Sequence, residues 1–203
     1  MPIYREILYK KLSKIIVWKI TEDEEMLLSM LNEPEVARTS TKYKNLRRRK
    51  QYIATQLVLK RMGLFNGLEK DANGKPHIKD STDFISISHD TDYVSIIVSS
   101  KECGIDLQHV SEKTLRIRHK FLSLDDSGAL ERKYDIDYLS IIWGIKEAIY
   151  KINGEPMVYF KEHIRISKLE RDYAEVYILH PDYKNKFSLN IQKLDDIYLI
   201  YTT

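Results

Sequence analysis

The stretch from Ile142 to Ile152 constrains the fold more than any other. Ile142, Ile145, Ile149 and Ile152 recur at helical spacing and make one apolar stripe that must be buried. Trp143, Glu147 and Lys151 stand four apart and make a second stripe, with Lys146 between the two. A carboxylate and an ammonium at that spacing usually form only a surface pair of small value. The pair gains another meaning if other parts of the chain converge on Glu147.

The 203 residues suffice for one substantial core or two smaller ones. Hydrophobic content of 43% and charged content of 31% describe an ordinary soluble globular protein. Mean hydropathy is negative and no run of about 18 apolar residues occurs, so no membrane span is expected. Residues 1–6 lack the charged and apolar segments of a secretory signal, and none is expected. The lone Cys103 lies in an apolar, strand-like stretch and reads as a small core residue in a reducing compartment, so the cytoplasm is the expected location. A net charge of +3 does not by itself indicate nucleic acid. No zinc-spaced Cys/His cluster and no glycine-rich phosphate loop is present.

Residues 15–20 are a β-branched run that predicts a strand. Thr21 is the expected N-cap of the next helix, with Glu24 in the capping-box position and an end near Glu33-Pro34. A second helix is predicted from Asn45, with Ile53, Ala54, Leu57, Val58 and Met62 facing inward and Arg47, Arg48, Arg49 and Lys50 in its first turns. Residues 63–76 read as a connection. Residues 84–88 and 93–98 alternate as a hairpin, with residues 89–92 as its polar turn. In the strand 103–108, Cys103, Ile105 and Leu107 point one way, Asp106 and Gln108 the other. Ser123 is the expected N-cap of a further helix, with Asp126 three positions on, and residues 173–179, 187–191 and 197–201 read as strands. Each half runs strand, helices, strands. The expectation is an α+β protein of two similar α/β subdomains packed around a cleft, residues 1–100 and 101–203.

Several residues suggest chemistry. An aspartate amid core residues of a strand is unusual, because strands deplete Asp. Asp106 and Glu147 together would meet the minimum for Mg²⁺, which takes one or two carboxylates plus substrate phosphates. Ser88-His89 ends a strand, where hydroxyls and backbone N–H groups meet anions. Gly74-Lys75-Pro76 fixes one positive charge on a restricted backbone. The run Arg47–Lys50 is the pattern of a solvated helix face, and Glu33, Glu35, Glu69 and Asp71 dilute the charge around it.

The order of these blocks carries more than any one of them. Gly74-Lys75-Pro76, Ser86-Ile87-Ser88-His89, Gly104-Ile105-Asp106-Leu107, Lys120-Phe121-Leu122-Ser123 and Trp143-x-x-Lys146-Glu147-x-x-x-Lys151 resemble the 4′-phosphopantetheinyl transferase superfamily, surfactin-type branch, over about residues 45 to 160. The resemblance implies Mg²⁺-dependent transfer of the phosphopantetheine arm of coenzyme A to a serine of an apo acyl- or peptidyl-carrier protein. It implies Asp106 and Glu147 as metal ligands and Lys151 as a phosphate contact. Lys75, Ser88 and His89 would line the coenzyme A site, with Arg48 or Arg49 adding to it. Lys146, with Lys151, would offset charge on the phosphate oxygens, and Glu147 would serve as base for the carrier serine.

Two positions depart from the family pattern. Gln108 stands where the branch has a second acid, on the same strand face as Asp106, so it offers the metal a neutral oxygen or holds a water on it. Asp126 replaces an acid one methylene longer. The rival expectations are a coenzyme A-binding relative without transfer activity, with Gln108 as its trace, and a basic nucleic-acid-binding module on residues 47–50. A monomer is expected, without nucleic-acid or membrane partners.

Overall fold

The computed structural model describes residues 3–9, 12–154 and 158–202. The N-terminal part runs β1 (Ile3–Tyr9), β2 (Ser13–Lys19), α1 (Glu24–Leu31), α2 (Pro34–Ser40), α3 (Leu46–Arg61), β3 (Leu68–Lys70), β4 (Pro76–Ile78), β5 (Phe84–Asp90) and β6 (Tyr93–Ser99). The rest runs β7 (Ile105–His109), α4 (Glu112–Ile117), a 3-10 turn (Arg118–Lys120), α5 (Ala129–Arg132), α6 (Ile136–Asn153), α7 (Phe160–His163), β8 (Ile164–Leu169), β9 (Tyr173–Leu179), β10 (Lys184–Leu194) and β11 (Ile197–Thr202). One sheet has the order β1-β2-β6-β5, the other β7-β11-β10-β9-β8, and β3 and β4 form a small separate pair. The chain is an α+β protein, as expected.

Residues 15–18 are completely buried because both faces of β2 are covered. Ile16 and Trp18, with Val94 and Ile96, meet Leu27, Leu31, Ile53 and Leu57 of α1 and α3. Ile15 and Val17, with Tyr93 and Ile97, meet Ile105, Leu107, Leu199 and Tyr201 of the second sheet. On that sheet's far side, Ile166, Val176, Leu189 and Ile200 bury the predicted stripe Ile142, Ile145, Ile149 and Ile152 of α6. The layers therefore run helix, sheet, sheet, helix. Two glycines let α6 lie close on β7: a Cβ on Gly104 would come within 2.0 Å of the Ala148 carbonyl oxygen, and one on Gly144 within 2.7 Å of Ile200.

Several local expectations change. The N-cap of α1 is Asp23, which accepts from the Met26 amide at 2.8 Å, and not Thr21. Pro34 does not merely follow a helix; it opens α2, where its missing N–H is no loss. β5 continues through His89 and Asp90, so the hairpin turn is tighter than predicted. Ser123 caps no helix. Its own amide donates to Asp126 Oδ2 at 2.9 Å, and the long helix starts later, capped by Asp135.

Candidate active site

β7 is an edge strand whose free side lies over β5. Ser86, Ser88 and Asp90 share one face of β5 and accept hydrogen bonds from alternate amides of β7. Ile105 N–H reaches Ser86 Oγ at 3.2 Å, Leu107 N–H reaches Ser88 Oγ at 3.1 Å, and His109 N–H reaches Asp90 Oδ2 at 2.7 Å. This side-chain ladder satisfies an edge that would otherwise be left unpaired. It also fixes Asp106, which lies between two of its rungs.

Asp106 is 5% exposed. Its Oδ1 accepts from Ser88 Oγ at 2.9 Å and from Lys151 Nζ at 2.7 Å. Burial raises its pKa against the opposing pull of Lys151 and Ser88. Lys151 also donates to Ser88 Oγ and to the Ile105 carbonyl, each at 3.0 Å. The Ser88 hydroxyl thus uses its one donor and both acceptor sites inside the seam. It orients Asp106 and offers no spare hydrogen to a phosphate.

Glu147 is half-buried one turn before Lys151, and among the described residues no hydrogen bond or ion pair reaches it. Burial and the nearby Asp106 charge push its pKa up to about 7, while Lys151 and Lys113 pull the other way. It lines a cavity of about 390 Å³ together with Asp106, Gln108, Lys113 and Trp143. The Gln108 amide nitrogen donates to the His109 carbonyl, which leaves its oxygen as the free end. Among the described residues no group of three or more His, Cys, Asp or Glu side chains is gathered to hold a metal. The carboxylates lining the smaller cavity are Asp90, Asp106 and Glu147, of which Asp90 is held through Oδ2 by the His109 amide, and Gln108 adds an amide oxygen.

A larger cavity of about 740 Å³ adjoins the smaller one, and Arg48 and His89 line both. Its walls include Tyr43, Gln51, Tyr52, Lys75, Tyr150 and Lys151. Asn45 caps α3 through the Arg48 amide, so the basic first turn of α3 opens at the cleft. Arg48 Nη1 lies 3.2 Å from His89 Nδ1. Desolvation at the cleft wall lowers the His89 pKa, and the charges of Arg48 and Lys151 add to this, although the ring keeps an open face to solvent. Lys75 lies across the C-terminal end of α6 and donates from Nζ to the Ile152 carbonyl.

The structure thus gathers Arg48, Ser88, His89, Asp106, Gln108, Glu147 and Lys151 at the junction of the two cavities, with Lys75 farther along the larger one. Two expected site residues are elsewhere. Lys146 points into the core on the far side of α6. Its Nζ donates to Asp126 Oδ2 at 2.7 Å and to the carbonyls of Phe121, Ile164 and Phe160 at 2.8, 2.9 and 3.1 Å. Both members of that pair are sealed from solvent, so Lys146 cannot offset charge on a ligand. Arg49 is the second correction. Its guanidinium pairs with Glu24 at 2.9 Å and donates to the carbonyls of Tyr43 and Lys44, and it lines neither cavity. Sequence reasoning did not single out Asp90, Lys113 or the cavity residues Gln51 and Tyr52. Only Asp90 had a readable signal, the acceptor at every second position in Ser86-x-Ser88-x-Asp90.

Carboxylates thus line the smaller cavity, and Arg48, Lys75 and Lys151 line the larger one beside it. No family model matches the chain. Two curated proteins are similar to it in sequence. The 4′-phosphopantetheinyl transferase psf-1 of Bacillus pumilus is 27% identical over 136 residues, 64% of this chain and 57% of that protein. A 4′-phosphopantetheinyl transferase of Bacillus subtilis is 31% identical over 86 residues, 40% of this chain and 38% of that protein. The chain therefore spans about half the length of the first of these relatives and less of the second. The ordered blocks of the sequence predict this likeness to the surfactin-type phosphopantetheinyl transferases, and the two relatives bear it out. No helix among the described residues is long and apolar enough to cross a membrane.

Proposed function

We propose that the protein transfers the 4′-phosphopantetheine arm of coenzyme A to a serine of an acyl- or peptidyl-carrier protein. The observation that carries this reading is the junction of the two cavities. Asp106 and Glu147 stand on one side, and the long cleft with Arg48, His89, Lys75 and Lys151 on the other. The cleft has the volume range of a small-molecule site, and its cations suit the phosphates of coenzyme A. The two named relatives support the same reaction class.

Asp106 and Glu147, with the Gln108 amide oxygen, are hard oxygen donors that fit Mg²⁺ better than a softer ion. The unpartnered Glu147 carboxylate, open to the smaller cavity, supports that fit. When bound, Mg²⁺ would supply charge neutralisation to the pyrophosphate oxygens. The remaining work falls to the chain. Arg48 and Lys75 bind phosphate in the larger cavity, and Lys151 contacts phosphate where the cavities meet. Glu147 takes the proton of the carrier serine at a carboxylate oxygen. The serine oxygen then bonds to the phosphorus bearing the pantetheine arm, the bond from that phosphorus to the bridging oxygen breaks, and adenosine 3′,5′-bisphosphate leaves.

The two sheets with their helices correspond, in this reading, to halves 1–100 and 101–203 of one monomeric chain working in the cytoplasm. Nucleic acid is not a partner. Arg47 approaches Asp92, Arg48 meets His89 and Arg49 pairs with Glu24, so the basic run forms no common face. The test is incubation of the purified chain with coenzyme A, Mg²⁺ and several apo carrier proteins. The expected result is a phosphopantetheine mass gain on one carrier serine. No gain on any carrier, with a reference transferase working alongside, would refute the proposal, and tight coenzyme A binding without turnover would leave a binding protein in its place.

A further inference from the structure

We infer that Lys151 holds the place of a divalent ion on Asp106 in the ligand-free protein, so that coenzyme A and the ion bind in order, the coenzyme first. The inference rests on the coenzyme A reading of the cleft. Asp106 is 5% exposed, and a buried carboxylate has to be balanced by a cation and satisfied by donors. At present Lys151 at 2.7 Å and Ser88 at 2.9 Å do both on Oδ1. A divalent ion on the same carboxylate would stand against that ammonium, and like charges in a partly desolvated site repel strongly.

The two donors on Oδ1 differ in freedom. Ser88 is fixed by β5 and by the Leu107 amide it accepts from. Lys151 has a long flexible stem, is 26% exposed and also lines the larger cavity. An anionic phosphate entering that cavity offers the ammonium a second partner within reach of the same helix turn. When Lys151 turns to it, Asp106 is left with unfilled lone pairs beside Glu147. The carboxylate pair then has a net negative charge for the ion to meet. Lys151 is thus a positioning residue that couples the two ligands, in addition to any contact it makes with phosphate. The sealed Lys146–Asp126 pair on the same helix has no such exit.

The probe is Mn²⁺ alone, its free concentration read by electron paramagnetic resonance on the full chain without coenzyme A. Lys151→Met should bind Mn²⁺ about tenfold tighter than the wild type. Saturating coenzyme A should tighten Mn²⁺ binding in the wild type and much less in the variant. The double variant D106N/K151M should lose the gain, because the competition runs through Asp106. Equal or weaker Mn²⁺ binding by Lys151→Met, a gain that persists with Asp106→Asn, or no Mn²⁺ binding by either protein would overturn the inference. Lys151→Gln carries the same expectation if the methionine variant does not fold. Calorimetry with coenzyme A separates the two readings: a chain that never binds the coenzyme loses the functional reading and the order of binding, while the Mn²⁺ comparison without coenzyme still decides the competition.

Discussion

Helix α6 carries two lysines five residues apart, and each meets an aspartate at 2.7 Å. Lys146 and Asp126 are both wholly enclosed, and three backbone carbonyls complete the ammonium's shell. Asp126 in turn accepts from the amides of Ser123 and Ile166 at 2.9 Å each. Lys151 and Asp106 instead stand at a cleft, 26% and 8% exposed by side chain. The first pair has every valence filled from within the chain and ties α6, the 121–126 turn and β8 together. The second has the same chemistry with one side left to solvent. A buried charge pair acts as architecture when it is closed and as an exchangeable ligand site when one partner has somewhere else to go.

Breaking the closed pair should have the largest effect. Lys146→Met strands the Asp126 carboxylate in the core and should cost about 3–5 kcal/mol of stability, read from urea unfolding. A loss below about 1 kcal/mol would mean the pair is not sealed in solution. The pH dependence sharpens the same point. Burial pulls the Lys146 pKa down to about 8, with Asp126 opposing. Between pH 8 and about 10.5 the unfolded chain then holds more protons than the folded one, so the contribution of Lys146 to stability rises with pH in that window. The stability difference between wild type and Lys146→Met should widen there by up to about 3 kcal/mol. A flat difference would contradict the depressed pKa.

The open pair should answer in the opposite currency. Lys151→Met should lower carrier-protein transfer by about a hundredfold or more, while unfolding shifts by roughly 1–2 kcal/mol, because water can reach the stranded Asp106. If Lys151→Met instead unfolds the protein and leaves the rate per folded molecule intact, the two pairs are alike and the contrast fails.

The contrast could not be read from the sequence, although most of its parts could. The isoleucine stripe of α6 and the β-branched run of β2 were legible because burial on one or two faces writes directly into residue type. Asp106 was legible as a misfit in a strand. Lys146 was not, since a lysine next to an apolar stripe is expected to reach solvent. Its acceptors come from residues 121, 126, 160 and 164, brought together only by the fold. β1 is not legible because it is an exposed edge strand carrying Arg5 and Glu6, with little alternation. The Ser123–Asp126 spacing predicts the partners but not the direction of their bond, because the spacing of an N-cap also fits a turn in which the acid caps the serine amide.

The smallest effects test the frame around the open pair. Ser86→Ala removes one rung of the β5–β7 ladder and leaves the buried Ile105 amide without its acceptor, at a cost of about 1–2 kcal/mol. Ser88 and Asp106 keep their bond, so the transfer rate should change little. A large rate loss in Ser86→Ala would mean that Asp106 is positioned by the whole ladder and not by Ser88 alone. Arg49→Ala sits at the end of the scale. Arg49 and its partner Glu24 line neither cavity, and the pair is only partly buried. Coenzyme A affinity should stay within about twofold of wild type, whereas Arg48→Ala, at the border of both cavities, should weaken it about tenfold or more. Equal losses in the two variants would return Arg49 to the coenzyme site and show that the basic turn of α3 acts as one unit.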